Sequence, residues 1–274
     1  MTFISADEVR NRSGAPSSLI TDAQLDEYIG EVEAGMAKWL NTSFTPKQVI
    51  EVRDGTNLNR ITTRKNPLLS VRKLTSNTST VIDPSTLNLH KPSGKISLTN
   101  TSEAGIFVTG QANTIIKYLY GLLEESDTET TTTAIASSGT TVSLAVSAIT
   151  GFSKDDWIEI YGMDGKRELA KITTAPIGTT IVVDELIHDH ESGSVVVLLQ
   201  IPEYVKTYMM IEAAICAAIN AIGATYVFNA SYSLGDLSVT KGVPYTHWQS
   251  SVEKLYKERA MRKERIHIRP SVVN

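Results

Sequence analysis

The sequence contains a single cysteine, Cys216, in 274 residues. A lone thiol excludes an intrachain disulfide framework and any zinc finger built on cysteines. No G-x-G-x-x-G and no G-x-x-x-x-G-K-[ST] loop occurs, so the two common glycine-rich phosphate cradles are missing. No G-x-S-x-G marks a serine nucleophile on a strand-to-helix turn. Neither charge sign dominates: 26 Lys and Arg stand against 30 Asp and Glu, a net charge of −4. Bulk electrostatic attraction to nucleic acid is therefore not expected. Long apolar runs are lacking too. The best stretch, 213–228, is Ala-rich, contains Asn220 and falls short of the ~20 residues a membrane span needs. It reads as a helix buried within a domain or between subunits. The opening residues MTFISADEVRNRSG have no basic n-region and no apolar h-region, so no secretory signal is expected and the chain reads as made in the cytosol.

What is present suffices for a folded chain. Hydrophobic residues make up 41% and charged residues 20%, which rules out wholesale disorder. The net charge conceals a division. Residues 124–200 hold thirteen acidic and four basic side chains, whereas the remainder holds seventeen acidic and 22 basic. A boundary this sharp predicts two modules.

Two capped helices open the chain. Ser5 with Glu8, and Thr21 with Gln24, have capping-box spacing, and Ile4/Val9 and Ile20/Leu25 form the matching apolar staples. Leu25, Ile29, Val32, Met36 and Trp39 follow at helical intervals. Alternation then predicts strands at 48–52, 60–64, 69–74, 80–82, 87–90, 95–99, 106–108 and 115–120, with a turn at Asp54-Gly55, read as an antiparallel meander packed on the helices. The polar run 127–133 (DTETTTT) reads as a linker. Six short strands are expected beyond it, at 134–136, 141–144, 157–161, 169–173, 180–183 and 194–199, which suggests a small closed barrel or sandwich. From Pro202 a long Ala-rich helix is predicted, then a loop or extended segment over 229–242. Thr246 with Gln249 signals a cap for a final helix, and an alternating tail ends the chain.

Side chains able to do chemistry are scattered. His188-Asp189-His190-Glu191 is the densest group of metal-capable residues, but no third ligand has a recognisable spacing and Ser192-Gly193 follows. It reads as a solvated turn, so no metal and no cofactor are expected. Cys216 reads as a small core residue. The basic run from Lys254 to Arg269 is interleaved with Glu258 and Glu264, with Glu253 just before it. It is open to three readings: a solvated helix end, a face docking on an acidic protein, or a DNA contact.

Several stretches together resemble the head-to-tail connector (adaptor) family of tailed bacteriophages. Residues 20–40 (ITDAQLDEYIGEVEAGMAKWL) are similar to its first long helix. Residues 51–75 (EVRDGTNLNRITTRKNPLLSVRKLT) resemble its E-x-x-D-G, Asn-Pro and Ser-Val strand pattern, and Ser93-Gly94-Lys95-Ile96 its G-x-I hairpin strand. The family's Y-x-x-G strand end running into a Pro-initiated helix is matched by Tyr118–Gly121 and by Ile201-Pro202, with about 80 residues intervening. Residues 231–240 (SYSLGDLSVT) resemble its loop before the last helix. The likeness covers residues 1–121 and 200–274. The intervening G-F-S-K-D-D-W-I-E-I and H-x-x-G-S-V elements resemble small β modules of virion proteins.

The resemblance implies an α+β fold: a helical connector core with an antiparallel β-meander and an inserted small all-β barrel or sandwich domain. The domains expected are 1–123 and 200–274 for the core and 124–199 for the insertion. It also implies a non-enzymatic virion protein of the phage neck, assembled in the host cytoplasm as a homo-oligomeric ring of about twelve copies. Such a ring docks on the portal protein, receives a tail-side neck or tail-completion protein, and lets DNA through its channel without reading sequence or touching a membrane. Portal-binding residues expected on this basis are Lys254, Lys257, Arg259, Arg262, Arg265, Ile266, Ile268, Arg269, Val272 and Val273. The rival reading is a metal-dependent enzyme or carbohydrate-binding surface protein working through the inserted β domain.

Overall fold

A computed structural model describes residues 3–77, 80–99, 105–228, 232–234, 237–239 and 244–263. The chain is α+β, with helices and antiparallel sheets as the patterning predicts. It divides into two compact units, Met1–Leu40 with Pro202–Asn274, and Asn41–Ile201. The first β segment thus groups with the second one rather than with the helices, a different partition from the expected core and insertion.

The helical unit contains α1 (Ala6–Ser13), α2 (Asp22–Trp39), α3 (Glu203–Phe228) and α4 (Pro244–Lys263). Both predicted capping boxes form: Ser5 and Thr21 accept the N–H of Glu8 and Gln24, whose side chains reach back to the cap. Pro202 lies just before α3, where its carbonyl accepts the N–H groups of Val205 and Lys206. α3 is the central helix and packs against α1, α2 and α4. Its alanines 213, 214, 217, 218 and 221 are all fully buried, so small side chains let the neighbouring helices approach closely. Ion pairs join the elements: Lys206–Glu8 at 3.2 Å, Arg259–Glu212 at 2.5 Å, and Arg12–Glu258. Thr246 falls inside α4, which starts at Pro244, so the predicted third cap is not at the helix start. Proline supplies that start instead, because it lacks only an N–H that has no helical partner there. Backbone pairing also forms a hairpin of Tyr232–Leu234 with Leu237–Val239 in the segment read as loop or extended.

The β unit begins with β1 (Lys47–Gly55), β2 (Arg60–Thr62), β3 (Leu68–Ser76), β4 (Thr80–Ile82), β5 (Leu87–His90), β6 (Lys95–Leu98) and β7 (Gly110–Tyr120). These strands are antiparallel, but their order is not that of a meander. One sheet runs β1-β7-β3-β4 and another β2-β6-β5, with an apolar core of Ile61, Leu74, Ile96, Phe107, Ile116 and Tyr118 between them. β7 takes a central place because both its faces are buried: Ile116 and Tyr118 enter this core, while Leu119 enters a second cluster. Residues 106–108 do not form the expected strand; Phe107 makes single backbone bonds to Asn57 and Leu58 instead. Asp54-Gly55 ends a strand rather than making a hairpin turn. A Cβ at Gly55 would stand 1.7 Å from the Val108 carbonyl oxygen, so the backbone approach demands glycine.

The second half contains β8 (Glu124–Thr131), β9 (Gly139–Ala145), β10 (Trp157–Tyr161), β11 (Arg167–Lys171), β12 (Thr180–Leu186) and β13 (Val195–Gln200). Four strands pair in the order β11-β10-β13-β8 and two as β12-β9. The bridges Thr132↔Val146 and Ile172↔Val183 bring the remaining edges together, so the six strands approach a closed barrel. Leu144, Ile158, Ile160, Ile181, Val183 and Val196 fill it. The predicted linker over 127–133 is mostly strand: Glu129 pairs with Val197 and Thr131 with Val195. Its residues alternate between solvent and the interior, where Thr130 and Thr132 are buried; the inward positions are threonines, so no apolar period marks the strand, and their β-branched side chains suit the extended backbone.

Candidate functional site

The predicted docking residues divide into three groups. Lys254 and Lys257 are exposed on α4. Arg259 turns inward to the Glu212 carboxylate, and Arg262 pairs with Glu258 at 3.4 Å along the helix. Arg259 therefore ties α4 to α3, whereas the Arg262 pair stays within α4. Arg265, Ile266, Ile268, Arg269, Val272 and Val273 lie outside the described residues. Beside Arg259, a groove of about 310 Å³ runs along Met36, Trp39, Tyr208 and Lys263. The Trp39 ring stacks on Tyr208 with centroids 6.4 Å apart and remains half-exposed. Cys216 is half-buried, and burial pushes its thiol up, away from the reactive thiolate form.

A denser arrangement was not read from the sequence. Three strand glutamates, Glu51, Glu159 and Glu168, are buried. Glu51 accepts the Tyr118 hydroxyl at 2.8 Å and the Arg64 N–H at 3.0 Å, with the Arg53 guanidinium 3.3 Å away. Burial, then the Glu51 bond, push the Tyr118 phenol strongly up. Glu159 on β10 accepts Lys91 Nζ at both oxygens, 3.0 and 3.1 Å. Glu168 on β11 accepts the N–H groups of Ile187 at 2.7 Å and His188 at 3.1 Å, and His190 Nε2 lies 2.7 Å from Oε1. Nε2 carries the proton, because a carboxylate only accepts.

This overturns the reading of residues 188–191 as a solvated turn. His190 is 1% exposed and pairs with Ala136 as a backbone bridge. Its ring is committed to Glu168, which fastens the 187–190 segment to β11. Only Asp189 and Glu191 face solvent. Among the described residues, no group of three His, Cys, Asp or Glu side chains is placed to hold a metal ion.

The network predicts an acid response. Burial raises the Glu168 carboxyl, but the bonds from His190, Ile187 and His188 outweigh it and hold the group below the ordinary value of 4.5. A depressed folded-state value contributes stability above the unfolded value, and that contribution is lost as pH falls through the folded one. The melting temperature of the β unit is therefore expected to fall below about pH 4.5, and Glu168→Gln to remove part of that slope. An unchanged slope in Glu168→Gln, followed by circular dichroism melts across the acid range, contradicts the assignment.

Two cations of the first half reach the second. Lys91 meets Glu159. Arg72 on β3 donates to the Leu169 carbonyl at 2.6 Å and stands 4.0 Å from the Glu168 carboxylate. Leu69 and Leu119 pack with Leu169 and Leu199 beside them. Between the halves lies a cavity of about 180 Å³ bordered by Arg72, Lys91, Glu159, Arg167, Glu168 and His188. Alternation in W-I-E-I-Y places Glu159 opposite Ile158 and Ile160, on a face that reads as solvent. Only the packing of the first half reveals it as buried.

No protein-family model matches the sequence, and no curated protein matches it. Among the described residues no helix is long and apolar enough to cross a membrane.

Proposed function

We propose that the chain is a ring-forming head-to-tail adaptor of a tailed-phage neck, which docks on the portal and extends the DNA channel toward the tail. The observation supporting this most is the way the barrel joins the chain. Its entry strand pairs with its exit strand at Glu124↔Gln200, so the module leaves the chain where it enters. An interruption of this kind is a loop insertion, which chains tolerate at small entropic cost. It leaves the strand end Tyr118–Gly121 and the Pro202 helix start as the joined pair that the connector resemblance requires.

In this reading the work is associative. Copies close into a ring of about twelve, one side meets the portal, the other meets a tail-side neck or tail-completion protein, and no bond is made or broken. Lys254 and Lys257 present outward charge to an acidic partner, while Arg259 holds α4 on α3. DNA crosses without sequence reading, and the virion neck is the site of action.

Co-sedimentation with the portal tests the reading. Replacing residues 124–199 by a short Gly/Ser linker is expected to leave portal binding intact. It uncovers Leu69 and Leu119, so the remaining β segment loses stability. A folded deletion variant that no longer binds portal would show that the barrel takes part in docking.

A further inference from the structure

We propose that the open face of the sheet β1-β7-β3-β4 is where a second copy of this chain docks, seating the acidic end of its barrel. The contact rests on the adaptor reading for its closure into a ring. β7 turns Ile116 and Tyr118 into the core, so Ile115 and Lys117 point the other way. The register sets their neighbours. Ile115 lies opposite Val52 on one side and Thr75 on the other, and Thr75 lies opposite Val81. Lys117 lies between Ile50 and Lys73. Ile50, Val52, Ile115 and Val81 are all exposed, Ile50 at 64% and Val81 at 62%, so aliphatic side chains form a joined patch across the sheet. Single exposed aliphatics are ordinary on a protein surface, whereas a joined patch marks an interaction site.

Two observations choose the occupant. Lys73 and Lys117 stand directly opposite each other, and neither forms an ion pair among the described residues. Like charges opposed across a ladder repel, so this face favours an acidic partner. Asp54, farther along β1, is committed to the Ala112 N–H. Two copies stacked by the same face would bring four lysines together, which disfavours a symmetric pair. The second observation is that a barrel already covers the adjoining part of this face. Two residues beyond Lys117, Leu119 packs with Leu69 on Leu169 and Leu199, and Arg72 and Lys91 meet Glu168 and Glu159 beside them. Aliphatic sheet against acidic barrel is thus a pairing this surface uses within one chain.

The barrel carries a matching surface at the end where β8 and β10 finish, both level with Val195. Ile135 and Met163 lie just beyond those strand ends and are open to solvent. Asp189 accepts the Ser138 N–H at 2.6 Å and Ala136 pairs with His190, which sets Asp189 and Glu191 beside Ile135. Asp164 pairs with Lys166, while Asp189 and Glu191 have no ion pair among the described residues. Sheet face and barrel end are different surfaces, so copies join head to tail, a contact that closes into a ring or runs on as a filament. It lies outside α4 and the tail, so a copy unable to self-associate is still expected to dock on the portal.

Analytical ultracentrifugation of the full chain and of two charge variants tests the contact. The face variant carries Lys73→Glu with Lys117→Glu. The barrel variant carries Asp189→Asn, which keeps an acceptor for Ser138, with Glu191→Lys. The parent is expected to self-associate, and each variant alone to do so about tenfold more weakly or beyond. Mixing the variants sets the acidic face against the basic barrel end, and native face against native barrel end, so association is expected to return. General destabilisation does not produce that recovery. A parent that stays monomeric overturns the inference, as does loss without recovery on mixing. Rings that persist in both variants reject this contact and leave the adaptor reading standing. Filaments of the parent that are lost in each variant and return on mixing uphold the contact and reject the ring.

Discussion

Glu168→Ala is expected to destabilise the β unit by about 3–5 kcal/mol, the range found when one partner of a buried pair is removed. The carboxylate is the acceptor for Ile187 N–H, His188 N–H and His190 Nε2, and it is the nearby counter-charge for Arg72. Its removal leaves three donors and a buried guanidinium without that acceptor at once. Solvent cannot replace it, since His190 and Glu168 are both nearly inaccessible. Glu168→Gln retains one acceptor oxygen and is expected to cost less than alanine. Urea unfolding followed by the fluorescence of Trp157, on the neighbouring strand β10, measures both. A loss below about 1 kcal/mol for the alanine variant would place the network with ordinary surface pairs and refute its structural role.

That network also shows where sequence reading stops. The caps at Ser5 and Thr21 were legible because both partners lie within three residues. The start of the barrel was legible because charge composition changes at Glu124, where β8 begins. His190 was not, because its partner lies 22 residues earlier on another strand. A local pattern of two histidines, two acids and Ser-Gly describes a turn equally well whether or not a buried carboxylate waits beneath it. The strand order β1-β7-β3-β4 was missed for a related reason. Alternation assigns a face to each side chain but not a neighbour to each strand, and β1 finds its partner some sixty positions away. On α4, charge marked the whole basic run, yet only packing separates Lys254 and Lys257 from the internally paired Arg259 and Arg262.

Truncation after Glu264 is expected to abolish portal binding while leaving the melting transition of the helical unit nearly unchanged. Ile266, Ile268, Val272 and Val273 carry apolar surface past the end of α4, and Pro270 opposes helix continuation. Burying four aliphatic side chains stabilises by roughly 6–12 kcal/mol. Ordering about ten residues costs roughly 10–20 kcal/mol of backbone entropy. Burial alone therefore does not hold one arm on a partner. Backbone pairing with a portal strand and charge-assisted bonds from Arg265 and Arg269 have to add to it. Many arms acting on one ring raise the effective concentration of each. Portal affinity is measured by co-sedimentation and unfolding by calorimetry on the same truncated protein. Undiminished docking would move the anchor to the exposed Lys254 and Lys257, and charge reversal there, Lys254→Glu with Lys257→Glu, would then be the variant that fails to bind.

Electron microscopy of the purified chain, alone and mixed with its portal, tests the adaptor assignment most directly. The account predicts rings of about twelve copies with a central channel, stacked coaxially on the portal and lengthening it along its axis. Single particles that neither close into rings nor bind the portal at any concentration examined would contradict it.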